Sequence, residues 1–163
     1  MENDLTYLLK LAEMDDAIIS TEENPIVGTQ GLATCFGLLL YDENTKTTIA
    51  AHLSTDWQVT LMKLLTLIDF NKQNNFKYLI IPGYYSKDRD PYNIKKRLTV
   101  FFEEFKTQNT KFEPFDKSEI PDNFVNYDKN TNSAEFAFDS QTGEFVTNKV
   151  KFGKSYSEVR SSK

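Results

Sequence analysis

The sequence has little of what most metal and cofactor sites require. It contains one cysteine and one histidine among 163 residues. An internal disulfide is therefore excluded, which suits a reducing compartment, and too few thiol and imidazole ligands remain for a zinc site. The six glycines form neither a phosphate-binding loop nor the dinucleotide-binding fingerprint. We expect no metal and no cofactor.

Positive charge is also scarce. Nineteen basic residues stand against 24 acidic ones, which gives a formal charge of −5. No local cluster of lysine and arginine offers a surface for a phosphate backbone. We therefore expect no nucleic-acid partner, and we interpret the thirteen phenylalanines and eight tyrosines mainly as core and rim.

Signals for targeting and membrane insertion are missing as well. The chain starts Met1-Glu2-Asn3-Asp4-Leu5, without the basic and apolar segments of a secretory signal. No apolar run approaches the length that spans a bilayer. These features predict a cytoplasmic protein with no membrane partner, although a secreted bacterial effector would share them.

Hydrophobic periodicity predicts a hairpin in the first third of the chain. A short amphipathic helix is expected over 3–14, followed by a loop from Glu22 to Gly28. The apolar run Cys35–Tyr41 indicates a buried strand. Asp42–Lys46 supplies turn residues, and Thr47–Leu53 returns as the partner strand.

The rest of the chain alternates helix and strand. A capping box at Thr55 predicts a helix with the apolar face Trp57, Leu61, Leu64, Leu65 and Ile68. Tyr78–Ile81, closed by Pro82-Gly83, predicts a central strand, and Asp90 followed by Pro91 predicts a second helix start. Antiparallel strands are expected near residues 124–127, 134–139 and 144–150.

These elements predict one domain over residues 1–163, with a frayed tail from about residue 154 to residue 163. Amphipathic helices need a sheet against which to bury their apolar faces. We therefore predict an α/β fold, a layered α/β sandwich in which the helices pack on a mixed, mostly antiparallel sheet.

The single thiol and the single imidazole fall at the same end of the predicted hairpin. A turn centred near residue 44 pairs Cys35 with position 52 or 53, and directly opposite residues lie about 5.5 Å apart at Cα. A lone cysteine or histidine is more often a core residue. Together, however, the imidazole of His52 would lower the pKa of the thiol. The pair predicts acyl transfer, in which Cys35 attacks an amide and His52 protonates the departing amine.

Such a reaction needs an oxyanion site and a group that orients the imidazole. We expect the oxyanion donors among the backbone N–H groups of Gly31–Thr34 and of Cys35. Thr29 and Asp56 compete as the orienting group. The alternatives are that the Thr29 hydroxyl bonds its own loop and that Asp56 only favours the start of a helix.

The segment Thr29-Gln30-Gly31-Leu32-Ala33-Thr34-Cys35 resembles the T-x-G-L-G-S-C segment of the CheD family of chemoreceptor glutamine deamidases. In that family a catalytic histidine also follows at the end of the next strand, as in Ala50-Ala51-His52. The resemblance implies a CheD-like fold, with Cys35 as nucleophile, His52 as general acid and base, and Thr29 as the third member. Ala33 and Thr34 replace the family's glycine and serine.

The protein N-terminal asparagine amidohydrolases resemble the chain too. Their A-T-T-C segment and following T-H pair are similar to Ala33-Thr34-Cys35 and Ala51-His52, and Ile80–Tyr84 through Asp90 matches a later strand and turn. Both families belong to a wider group of cysteine hydrolases that includes bacterial deamidating toxins. The resemblance is tightest over residues 29–53.

We therefore predict a cysteine-dependent deamidase that converts glutamine, or asparagine, of a protein substrate to the acid. Ala33, Thr34 and Tyr84 are the expected substrate-binding residues, and Tyr85 is a further candidate for the mouth of the site. Two alternatives remain open at this point. One is transglutaminase-type acyl transfer by the same centre, and the other is a CheD-like binding module without catalysis.

Overall fold

Two five-stranded sheets and two α-helices make up most of the regular structure of residues 9–147, which are the residues that the computed structural model describes. The strands are β1 (Leu9–Ala12), β2 (Ala17–Ile19), β3 (Ile26–Leu32), β4 (Phe36–Asp42), β5 (Thr47–Leu53), β6 (Asn74–Pro82), β7 (Thr110–Pro114), β8 (Asn126–Asp128), β9 (Ser133–Asp139) and β10 (Glu144–Phe145). The helices are α1 (Trp57–Thr66) and α2 (Ile94–Glu104).

The first sheet has the strand order β1-β3-β9-β10, and β8 also pairs with β9. The second sheet has the order β2-β5-β4-β6-β7. Most neighbouring strands are antiparallel, whereas β1 with β3 and β6 with β7 are parallel pairs. The predicted α/β class and the mostly antiparallel pairing are confirmed, but two sheets form where one was expected.

The second sheet lies between the helices and the first sheet, and its strand β4 is apolar on both faces. Leu38 and Leu40 pack in a core shared with α1 and α2. Leu39 and Tyr41 face the other way, into a second core that includes Phe138 of the first sheet. Alternate side chains of a strand point to opposite faces, so a strand covered on both sides must be apolar throughout.

The local predictions for the central hairpin and for β6 are confirmed. β4 and β5 pair antiparallel around a turn at 43–46, and β6 lies between β4 and β7. The start of α1 differs, because Asp56 is its N-cap and makes no side-chain capping bond. The predicted start of α2 at Asp90-Pro91 is wrong, because the helix begins at Ile94 with Asn93 as its N-cap. The Asp90 carboxylate still accepts from the N–H groups of Ile94 and Lys95, each at 3.0 Å, and so satisfies two donors of the first turn.

The predicted N-terminal helix is wrong where the structure can be compared with it. Residues 9–12 form a strand that runs parallel to β3, and residues 3–8 lie outside the described residues. A helix of so few turns is marginal in water, whereas pairing with β3 satisfies the backbone in a sheet. The expected loop at 22–28 is shorter than predicted, because Ile26 already belongs to β3. The expected tail at 154–163 also lies outside the described residues.

Gly28 tests how closely the first sheet is packed. A Cβ atom at this position would collide with the backbone carbonyl of Phe136 and lie 2.8 Å from the Cα of Ala137. Because backbone atoms of β9 cannot move aside singly, Gly28→Ala should lower the free energy of unfolding by about 3 kcal/mol, the upper end for overpacking. Urea unfolding measures this change.

Gly31→Ala is the control for the Gly28 variant. No atom lies within 4 Å of a Cβ built on Gly31, whose φ is +70°. The control should therefore cost only the left-handed backbone strain of about 1–2 kcal/mol. An equal loss of stability in both variants would contradict the packing explanation.

Candidate active site at Cys35

Cys35 lies where the chain crosses from one sheet to the other. β3 of the first sheet ends at Leu32, and β4 of the second sheet begins at Phe36. The connection between them opens onto a pocket of 690 Å³ whose lining includes Thr34 and Cys35. The cysteine is only 7% exposed, because it lines the pocket and also packs in the core between the sheets.

The segment Gly83–Ser86 fixes the backbone of this connection. The N–H groups of Tyr84 and Tyr85 donate to the carbonyls of Leu32 and Ala33, each at 2.8 Å. The carbonyl of Cys35 accepts from the Gly83 N–H at 3.0 Å and from the Ser86 hydroxyl at 2.7 Å. Only glycine fits at position 83, because a Cβ there would lie 2.6–2.7 Å from those three carbonyl oxygens.

These carbonyl contacts set the direction of the neighbouring N–H groups. In a trans peptide the C=O and the N–H point to opposite sides. Since the Ala33 carbonyl points to the Gly83–Ser86 segment, the N–H of Thr34 points away from it. Within residues 9–147, the N–H groups of Thr34 and Cys35 have no hydrogen-bond acceptor. They are the best-placed donors for an oxyanion.

His52 is buried and its tautomer is fixed by Thr29. The Thr29 hydroxyl oxygen lies 2.7 Å from the carbonyl oxygen of Ala12 and 2.9 Å from Nδ1 of His52. A carbonyl only accepts, so the single hydroxyl proton goes to Ala12. The hydroxyl must then accept from an N–H at Nδ1. The remaining ring nitrogen, Nε2, consequently carries the basic lone pair.

The expected pairing of Cys35 with position 52 or 53 is wrong by one or two positions. In the ladder between β4 and β5, His52 lies opposite Gly37 and Leu53 lies opposite Phe36. Cys35 is therefore a diagonal neighbour of His52, a geometry in which Cα atoms are about 7–8 Å apart, within reach of longer side chains. Cys35 and His52 still share the face of the hairpin that looks towards the first sheet.

The expectation of a lowered thiol pKa is also wrong for this resting state. Burial raises the pKa of Cys35 above its ordinary value, and the carboxylate of Asp15 raises it further. The sulfur is therefore a neutral thiol at rest, and no thiolate–imidazolium pair exists in advance. Chemistry at this site would need His52 to remove the proton as the sulfur attacks.

The remaining predicted residues fall in different places. Thr29 contacts the imidazole, whereas Asp56 is the N-cap of α1. Thr34 lines the pocket. Ala33 and Tyr84 do not line it: Ala33 contributes its carbonyl to the contact with Tyr85, and the Tyr84 ring packs edge-on against the Tyr85 ring. Tyr85 takes the place expected for Tyr84.

Several residues at the site were missed by the sequence analysis, namely Asp15, Ser54, Ser86, Arg89 and Tyr92. Ser54 accompanies Cys35 in the pocket lining, together with Arg89 and Tyr92. Ser86 comes a few residues after the predicted strand Tyr78–Ile81, and a polar residue so close to the end of a central strand could have been proposed as part of a site. Asp15 gave none, because the pairing of β2 with β5 brings it to the site from another part of the chain.

No family model matches the chain, and no curated protein is significantly similar to it. In the described part of the chain, no group of three histidine, cysteine or acidic side chains is placed to hold a metal ion. No helix among residues 9–147 is long and apolar enough to cross a bilayer.

The tautomer of His52 is directly testable because the chain has no other histidine. ¹⁵N NMR of the ring should show the proton on Nδ1. Thr29→Val should remove this preference and cost about 1–3 kcal/mol of stability, since a buried N–H and a buried carbonyl lose their partner. Thr29→Ser should retain both properties. A proton on Nε2 in the unmodified protein would contradict the assignment.

The raised thiol pKa predicts how Cys35 responds to pH. Its alkylation rate should still be rising at a pH where the thiol of the unfolded chain, near pKa 8.5, has levelled off. The stability contribution of this group is complete below the unfolded pKa and is lost as the pH rises towards the folded one. Labelling rates of the native and the denatured chain, followed by mass spectrometry, measure the difference. An equal or lower native pKa would contradict the burial argument.

Proposed function

We propose that the protein is a cysteine-dependent hydrolase of side-chain amides, which converts glutamine or asparagine in a protein substrate to the acid. One observation carries the proposal. The Thr29 hydroxyl donates to the Ala12 carbonyl and accepts from the N–H at Nδ1, so Nε2 is the basic nitrogen of the His52 imidazole. This imidazole lies on the same face of the hairpin as Cys35, and the chain has no other histidine or cysteine. The resemblance of residues 29–53 to CheD-type deamidases supports the same three residues.

In the first half of the reaction, the thiol proton of Cys35 moves to Nε2 of His52 as the sulfur bonds to the amide carbon. The carbonyl π electrons move to oxygen, and the N–H groups of Thr34 and Cys35 hydrogen-bond the oxyanion. The C–N bond then breaks, the imidazolium returns the proton to nitrogen, and ammonia leaves. Thr29 accepts from Nδ1 throughout and stabilises the imidazolium.

In the second half, water attacks the thioester. His52 Nε2 takes one proton from the water, the carbon–sulfur bond breaks, and the proton passes to the sulfur. The product is the carboxylic acid, which ionises, and the Cys35 thiol is restored. An amine in place of water would give transamidation through the same intermediate.

The rim of the pocket favours a polypeptide over a free amino acid as substrate. Three exposed apolar side chains from two separate segments, Met14, Tyr85 and Tyr92, surround the opening and are 47–61% exposed. Exposed large apolar groups gathered at one opening are typical of surfaces that contact other macromolecules. A free amino acid, with its charged ammonium and carboxylate, would gain little from them.

A CheD-like binding module is the second candidate. The burial of Cys35 and its raised pKa favour this alternative, because an inert cysteine in a core has the same two properties. The two candidates differ in whether the native thiol reacts at all.

The decisive experiment is intact-mass analysis of a panel of glutamine and asparagine peptides and unfolded proteins, with ammonia measured in parallel. The active protein should replace NH₂ with OH in at least one substrate. Cys35→Ser should abolish the reaction, and His52→Ala should slow it by about 10²- to 10⁴-fold, the usual effect of a general acid–base group. An added primary amine distinguishes transamidation from hydrolysis.

Thr48→Val is the matched control for Thr29→Val. Thr48 lies on the same strand as His52 and its buried hydroxyl bonds that of Ser140 at 2.7 Å, away from the imidazole. Both variants lose a buried hydrogen bond, but only Thr29→Val should lose activity beyond its loss of stability. If no substrate changes mass and Cys35 is alkylated only after unfolding, the binding module is the correct assignment.

A further inference from the structure

A carboxylate that has no part in the mechanism above contacts a residue of the pocket wall, Ser54. Asp15, in the turn between β1 and β2, has a φ of 61°, a conformation uncommon for residues other than glycine. Its N–H donates to the His52 carbonyl at 2.9 Å. Its carboxylate accepts a hydrogen bond from the hydroxyl of Ser54. Two contacts to the end of β5 thus fix both its backbone and its side chain.

Ser54 connects Asp15 to the pocket. It lines the same pocket wall as Cys35 and directly follows Leu53, which lies opposite Phe36 in the ladder. One further step along that register brings Ser54 to the level of Cys35. The charge of Asp15 also reaches the sulfur, since it contributes to the raised pKa of the thiol.

A negative charge at this place opposes the formation of a thiolate, so it works against simple cysteine reactivity. The same charge has a different effect on the substrate, because the amide and the product acid differ in their hydrogen-bonding groups. A primary amide has one acceptor oxygen and two N–H donors, whereas the product carboxylate has only acceptors and a negative charge. With the carbonyl oxygen on the N–H groups of Thr34 and Cys35, the amide nitrogen requires an acceptor nearby.

We propose that Asp15, held in place by Ser54, is a specificity-determining residue that selects a neutral primary amide and rejects a carboxylate. Asp15 lies behind the pocket wall and takes the proton of the Ser54 hydroxyl, so the Ser54 oxygen, which lines the pocket, accepts a hydrogen bond from the substrate's NH₂ group. The charge of Asp15 repels the acid product, which promotes release. This inference rests on the proposed function and names the chemical group that the site accepts. Sites that hydrogen-bond a donor reject analogues lacking it far more strongly than apolar pockets do.

Asp15 is not the only charged group near the opening. Asp88, Arg89 and Asp90 line the pocket, and their formal charges sum to −1. A general negative field would also disfavour an anionic ligand. Any test must therefore separate Asp15 from these residues, and Asp88→Asn provides that comparison.

Iodoacetamide and iodoacetate test the proposal without requiring hydrolysis. In both reactions the Cys35 thiolate displaces iodide from a CH₂ group, and the reagents differ only in bearing a primary amide or a carboxylate. The ratio of their rate constants cancels the thiolate fraction, which is the same for both. The ratio in the native protein, divided by that in the denatured chain, measures selection by the folded site.

We expect this normalised ratio to favour iodoacetamide and to fall by about tenfold in Asp15→Asn, equivalent to about 1.4 kcal/mol of discrimination. Asparagine tolerates the left-handed backbone, so the variant should fold, which thermal unfolding checks. Asp88→Asn removes the same charge from the pocket wall without touching Ser54, and it should lower the ratio less than Asp15→Asn does. In deamidation assays, Asp15→Asn should weaken substrate binding and make inhibition by the acid product stronger.

An unchanged ratio in Asp15→Asn, or an equal fall in Asp88→Asn, would overturn the proposal. The two hypotheses fail separately. If substrates are deamidated but the ratio does not respond to Asp15, the proposed function stands and the role of Asp15 falls. If the ratio responds but no substrate is deamidated, the pocket selects amides and the hydrolase proposal falls.

Discussion

The hydroxyl of Thr29 makes the contact on which the candidate site depends. It donates to Ala12 within the first sheet and accepts from His52 of the second sheet, so one oxygen atom joins the two sheets next to the cysteine. Both partners are buried, and neither would find water if the hydroxyl were absent. The same bond that helps to hold the layers together therefore also fixes which imidazole nitrogen is basic.

The position of Cys35 follows from the same layered design. A chain that leaves one sheet and enters the other must turn where the first strand ends and the next begins, and its backbone groups there lack strand partners. The segment Gly83–Ser86 satisfies the carbonyls on one side of the turn. The N–H groups of Thr34 and Cys35 have no acceptor among residues 9–147, and both residues line the pocket. Asp15 arrives from a third segment, so three separate parts of the chain form the site.

Sequence patterns predicted those elements whose signals are local. The β4–β5 hairpin carries its own turn residues, and the apolar run in β6 has the length and flanking residues of a central strand. The patterns failed where distant pairing decided the outcome. Leu9–Ala12 is a strand because β3 lies beside it, and β7 is held by a parallel ladder to β6 that no local periodicity reveals. The register of the hairpin was also missed, because the position of a turn cannot be located to one residue from its composition.

The sequence by itself determined which groups are available: one thiol, one imidazole and a threonine upstream, with the first two at the same end of one hairpin. It did so because the alternation of side chains along paired strands is a local property. Only the tertiary structure decided the tautomer of His52, the raised pKa of Cys35 and the position of Asp15 behind the pocket wall. Each of these depends on burial or on contacts between segments that are far apart in the chain, and such contacts exist only after the two sheets have packed together.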